Sequence, residues 1–111
     1  MVDFRLTEEQ MMIREMAREF AEKEILPYAE EWDREGTYPR EAITKAHDLG
    51  LLNVTIPEKY GGAGMSTVDE MVICEELSRG DPGFGTASYH TMLASFPILT
   101  GGTEEQKAEY L

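Results

Sequence analysis

The stretch TEEQMMIREMAREF, residues 7–20, decides the fold class. A helix leaves its first N–H groups without partners. A Thr at the N-cap can accept from one of them, and a Gln or Glu three residues on can reach back to the Thr backbone. Thr7 and Gln10 stand at that spacing. Glu8 and Glu9 suit the positive end of the helix dipole. Ile13, Met16, Ala17 and Phe20 then fall on one face at helical spacing. The same TEEQ recurs at 103–106, but only KAEYL follows it. A helix of about two turns is marginal alone, and no Gly or Pro stops this one. The expectation is a chain cut inside a helix, a piece of a longer protein.

Outward from residue 20 the helical pattern continues into the low thirties. Pro27 removes one backbone donor, so a kink or break is expected there. Around and after it the apolar stripe is Ile25, Tyr28, Ala29 and Trp32, displaced around the axis. Pro39 opens a shorter helix carrying Ile43, Ala46, His47 and Leu49, a favoured place for proline. Gly50 is its stop, and Leu51 can fold back over its last turn. Leu52, Val54 and Ile56 alternate, as one short strand would, with no second strand-like run to pair. PEKYGGAGMS, residues 57–66, is the main loop. Ser66 with Asp69 starts a helix to Leu77 that is apolar nearly all round: Val68, Met71, Val72, Ile73, Cys74 and Leu77. RGDPG turns the chain into a final full helix from about Gly83 to Leu99. The reading is all-α, about five helices, the last incomplete.

Composition bounds the function. The 111 residues predict one domain, 1–111, and 41% hydrophobic content allows a real core. A net charge of −12 repels phosphate backbones, which argues against nucleic acid and anionic membrane surfaces as partners. The single cysteine, Cys74, allows no intrachain disulfide and suits a reducing, cytoplasmic setting. MVDFRLTEEQ has neither a basic start nor an apolar run, so no secretory signal is read. The uncharged stretch Pro82–Thr103 is long enough to span a bilayer. Its glycines, prolines and hydroxyls, without a sustained Leu/Ile/Val run, make it a buried helix of a larger helical body instead.

Catalytic constellations are missing from the pattern. His47 and His90 each lack the Glu three residues earlier that helical di-iron sites use, and no C-x-x-C exists. GGAGMST fits neither phosphate-loop pattern: no Lys follows, and Thr67 stands where a third glycine belongs. A structural turn explains it better than a nucleotide site. Cys74 on an apolar helix reads as core packing. Glu75 and Glu76 point about 100° apart on a helix, so they form no ready carboxylate pair. Each reads as solvated or ion-paired.

The order of punctuation carries more. LTEEQ is followed by FAEKEILPYAEEWDREGTYP, LGLLNVTIPEKYGGAGMS, EELSRGDPG and GTEEQKAEYL. Three segments are most specific: 49–64, 75–79 and 102–107. Together, from Phe4 to Leu111, the chain resembles the N-terminal helical domain of the acyl-CoA dehydrogenase family. That resemblance implies a larger subunit, with a middle β domain and a C-terminal helical bundle that this sequence does not contain. It implies an FAD-dependent oxidoreductase that converts an acyl-CoA thioester to a trans-2-enoyl-CoA. A glutamate base takes the α proton and hydride passes to flavin, and electrons leave to an electron-transferring flavoprotein. A homo-oligomer is expected. The family's catalytic glutamate and most flavin contacts lie further along, so no catalytic, cofactor or metal residue is carried over, and the chain alone is expected to be inactive and not to bind FAD tightly. The acyl-pocket wall does transfer. By position it gives Gly85, Thr86, Tyr89, His90 and Leu93, uncharged and at helical spacing. The alternative for these residues is plain core packing. Tyr89 and His90 are bulky for such a wall, which implies a shortened cavity or one adapted to a branched, cyclic or polar acyl group. Two other readings keep the fold: a stand-alone helical dimerisation module, and part of an acyl-CoA oxidase.

Overall fold

A computed structural model describes all residues 1–111. It contains six α-helices and no strand: α1 Glu8–Phe20, α2 Ala29–Glu35, α3 Arg40–Asp48, α4 Thr67–Gly80, α5 Pro82–Gly101 and α6 Glu104–Tyr110. The Thr7 hydroxyl accepts from the Gln10 N–H at 3.1 Å, and the Gln10 side-chain oxygen accepts from the Thr7 N–H at 3.0 Å. Thr103 and Gln106 repeat the box at the start of α6. The Gln10 amide also donates to Asp69 at 2.9 Å, and Asp69 accepts from the Ser66 N–H at 2.8 Å in the capping box of α4. The starts of α1 and α4 are therefore tied side by side.

Pro27 does more than kink a helix. The last turn before it, Ala21–Ile25, widens to π-helical geometry, with the Leu26 N–H donating to Ala21 O at 2.8 Å. An inserted turn of this kind relieves the clash a proline ring makes with the carbonyl four residues back. Residues 26–28 then form a turn, and α2 starts anew at Ala29. This separation makes six helices where the periodicity predicts about five.

The end of α3 shows the cap expected at Gly50. The Gly50 N–H donates to His47 O and the Leu51 N–H to Ala46 O, both at 2.9 Å, with Gly50 at φ +74°. That is a Schellman closure, and it drops Leu51 into the core. The run after it is not a strand. Asn53 takes φ +58°, which no extended segment tolerates, and Val54 and Ile56 are buried within a loop. The loop closes on itself, with Met65 N–H to Val54 O at 2.8 Å and Gly64 N–H to Ile56 O at 2.9 Å. Gly62 leaves no room for a side chain, since a Cβ there would lie 1.9 Å from Ile56 O. The glycines thus serve a turn, and their amides are consumed internally.

The core joins Ala17 and Phe20 of α1, Ala21 and Ile25 of the π turn, Ala42 and Ala46 of α3, Leu51, Val54, Ile73 and Leu77 of α4, and Phe84 of α5. Phe84 is its aromatic centre, 6.3 Å from Phe20 and 6.1 Å from Trp32 between ring centroids. Each fully buried side chain of this size stabilises the fold by about 1.5–3 kcal/mol. Small residues let α1 and the π turn approach α4: a Cβ on Gly80 would lie 3.1 Å from Ile25 Cγ2. Met16, expected on the inner stripe of α1, is instead an exposed edge residue. Val68 and Met71 likewise leave one side of α4 open. No helix is long and apolar enough to cross a membrane.

Candidate functional site

Asp81 ends α4 and begins α5. Its carboxylate accepts from the Phe84 N–H at 2.8 Å, and Pro82 occupies the first helical position. The uncharged α5 satisfies its hydroxyls on its own backbone: Ser88 donates to Gly85 O at 2.9 Å, Thr91 to Ser88 O at 2.9 Å and Ser95 to Thr91 O at 2.6 Å. Phe84, Gly85, Ser88 and Ser95 are its buried face.

The five wall candidates divide among three environments. Gly85 is buried against α4, where a Cβ would stand 2.0 Å from Ser78 Oγ. It sets the approach of the two helices. Tyr89 is half-buried and lines a cavity of about 20 Å³ with Leu51, Leu52, Asn53, Glu70, Ile73 and Ser88 among others. Thr86, His90 and Leu93 lie on the open face at i, i+4 and i+7, and the Thr86 hydroxyl donates to Pro82 O at 2.9 Å. Gly85 therefore does not share the open face with Thr86, His90 and Leu93, while Tyr89, one turn on from Gly85, stands between the two. The helix expected to be buried is buried on one side only; Leu93 and Phe96 are more than half exposed.

Two buried glutamates of α4 have opposite electrostatics. Glu76 is gripped by Arg18, with Nε–Oε2 at 3.0 Å and Nη2–Oε1 at 2.9 Å, and by Arg79 at 3.3 Å. The Arg18 hydrogen bonds hold its carboxyl below the usual range. Glu75 is exposed. Glu70 is 7% exposed, and its Oε2 is buried without a hydrogen-bond partner. Burial pushes this carboxyl up, with Thr55 opposing in part. Sequence reasoning passed over Glu70. The signal was there: residues 70, 73 and 77 form one helical stripe whose other members, Ile73 and Leu77, are core.

Side-chain caps close four of the six helix starts. A pyrophosphate favours free helix N-termini. The starts of α1, α4, α5 and α6 are closed by Thr7, Ser66, Asp81 and Thr103, and carboxylates stand in or beside each first turn.

The pattern described as acyl-CoA dehydrogenase, N-terminal domain, matches residues 7–111. The chain is 41% identical to the probable acyl-CoA dehydrogenase YngJ of Bacillus subtilis (strain 168), over 99% of this chain and 29% of that protein. Among solved structures it superposes on the glutaryl-coenzyme A dehydrogenase glutaryl-CoA complex with a TM-score of 0.92 and 35% identity, over 98% of this chain and 29% of that one. A chain from a structure described as the electron transferring flavoprotein of Acidaminococcus fermentans gives a TM-score of 0.87 and 42% identity, over 99% of this chain and 29% of that one. The chain thus spans less than a third of the length of each of these.

Proposed function

The chain belongs to the acyl-CoA dehydrogenase N-terminal domain family, and from that premise we propose that it is the N-terminal domain, residues 1–111, of an FAD-dependent acyl-CoA dehydrogenase. In that enzyme an acyl-CoA thioester is oxidised to its trans-2-enoyl form, and α5 supplies part of the wall around the acyl tail. The open uncharged face of α5 carries this reading: Thr86, His90 and Leu93 lie exposed along it with no Asp, Glu, Lys or Arg among them. Such a face excludes water from an apolar tail and constrains its direction. Proton abstraction and hydride loss on neighbouring carbons depend on that alignment. Tyr89, beside the same face, limits the depth available to the tail. Gly85 acts behind the wall, by letting α5 sit tightly on α4.

The flavin, which the homologues depend on, supplies the hydride acceptor. Residues outside this chain hold it, together with the catalytic base and the site that hands electrons to an electron-transferring flavoprotein. The assembly is a homo-oligomer and its compartment the cytoplasm. The test is anaerobic addition of saturated acyl-CoA thioesters to the full-length protein loaded with FAD. Bleaching of the flavin band by at least one chain length, with enoyl-CoA as product, is expected. An unchanged spectrum across straight, branched and cyclic acyl groups would overturn the assignment.

A further inference from the structure

The cavity beside Tyr89 is unusual for the wall of a pocket that holds a hydrocarbon. Its volume of about 20 Å³ admits one water-sized group. Its inner surface comes from Leu51, Ile73 and Leu77, which are buried and apolar. Glu70 stands among them with Oε2 shielded from solvent and unbonded. A buried polar atom without a partner is a standing cost to the fold. Asn53, on the half-buried rim, is the only non-glycine residue at positive φ. Asn tolerates that conformation better than most residues. Here it falls on the cavity, where backbone held in a sparsely populated region often marks a working site.

We propose that Glu70 is a specificity-determining residue of the acyl pocket, accepting a hydrogen bond from a hydroxyl at the end of the acyl tail. The inference rests on the function proposed above and deepens it. An apolar chain running along α5 reaches Tyr89, and only a group of hydroxyl size enters the space beyond. A methyl end leaves Glu70 Oε2 unpaired, whereas a hydroxyl end satisfies it. Sites built to bond a substrate hydroxyl discriminate strongly against the analogue that lacks it, because the site's own polar group is then stranded. The neighbouring Tyr89 and Asn53 can orient the hydroxyl. Cys74, also on the rim, has its thiol 3.8 Å from Ser78 Oγ and takes no part.

The experiment uses the full-length enzyme loaded with FAD and pairs of acyl-CoA thioesters matched in heavy-atom number. One of each pair ends in methyl and the other in hydroxyl, across a series of chain lengths. At one chain length the hydroxyl-ended member is expected to win in kcat/KM by about tenfold. Calorimetric binding of unreactive thioether analogues should show the same ranking. Glu70→Leu should abolish or invert the preference, and the isosteric Glu70→Gln should retain part of it. A methyl preference at every length in the wild type overturns the proposal without any variant. So does an equal loss for both members in Glu70→Leu, judged on protein whose melting shows it folded. An enzyme that oxidises methyl-ended thioesters and ignores the hydroxyl thus refutes the role of Glu70 alone, whereas one that oxidises no acyl-CoA refutes the underlying function.

Discussion

Gly85 is where helix packing leaves least room. A Cβ there would meet Ser78 Oγ at 2.0 Å and Ser78 Cβ at 2.9 Å, so α5 must move off α4 to accept one. Gly85→Ala should lower stability by roughly 1–3 kcal/mol despite the better helix propensity of alanine. Chemical denaturation reads this directly, and an unchanged midpoint would show that the two helices are not held so closely. Glu70 gives a prediction of the opposite sign. Its folded pKa is raised above the ordinary 4.5 by burial. Such a group contributes stability below its unfolded pKa, and that contribution is lost as pH rises through the raised folded value. Ionised Glu70 is therefore a net cost at neutral pH. Glu70→Gln should raise the melting temperature at pH 7, and the gain should vanish below about pH 4. A gap that widens on acidification would contradict this. Glu76 runs the other way: held low by Arg18, it stabilises above its unfolded pKa and loses that effect as pH falls through its folded value.

Between elements, α6 is joined to the 57–66 loop by a small charged network. The Tyr60 hydroxyl donates to Glu104 Oε2 at 2.7 Å, and Lys59 and Lys107 each lie 3.4 Å from the same carboxylate. The Tyr60 hydrogen bond, then those of the two lysines, bring Glu104 down to about 2. Its contribution is present above the unfolded 4.5 and fades as pH falls toward about 2. Amide protection in α6, corrected for the intrinsic pH dependence of exchange, should therefore fall across that window in the wild type, and Tyr60→Phe should move the onset to higher pH. Identical exchange profiles would show that α6 is held by something else. The capping boxes behind these elements were legible, because Thr7–Gln10, Ser66–Asp69 and Thr103–Gln106 satisfy a local backbone need whatever surrounds them. The Gly50 cap was legible for the same reason. The alternation of Leu52, Val54 and Ile56 misled, since burial in a closed loop gives the same apolar spacing as a strand and only the left-handed Asn53 separates the two. The order and spacing of motifs made the family legible. The grouping of the five wall candidates was not, because Gly85 differs from Thr86 by one residue, about 100° around the helix, and only packing against Ser78 reveals which of the two faces inward.

The whole molecule is a slab, 41 × 38 × 20 Å. Its thin dimension is about two helix diameters, so most helices have one face covered and one open. Met11, Met12, Met16, Val68, Met71, Leu93 and Phe96 are exposed as a result. A chain spanning less than a third of its relatives' length, with apolar residues on both sides, should self-associate when isolated. Sedimentation velocity should show a weight-average mass that climbs with concentration; a constant monomer value would mean that these faces are compatible with water. The 22 acidic residues against 10 basic ones give the net −12, which slows that association at low salt and permits it as salt screens the charge.

The claim that joins these scales is that α5 walls the acyl pocket and Tyr89 sets its depth. Chain-length profiling of Tyr89→Ala in the full-length enzyme tests it most directly. There kcat/KM should move toward longer or bulkier acyl groups while the shortest substrates lose little. A profile parallel to that of the wild type at every chain length would contradict it and return Tyr89 to the helical core.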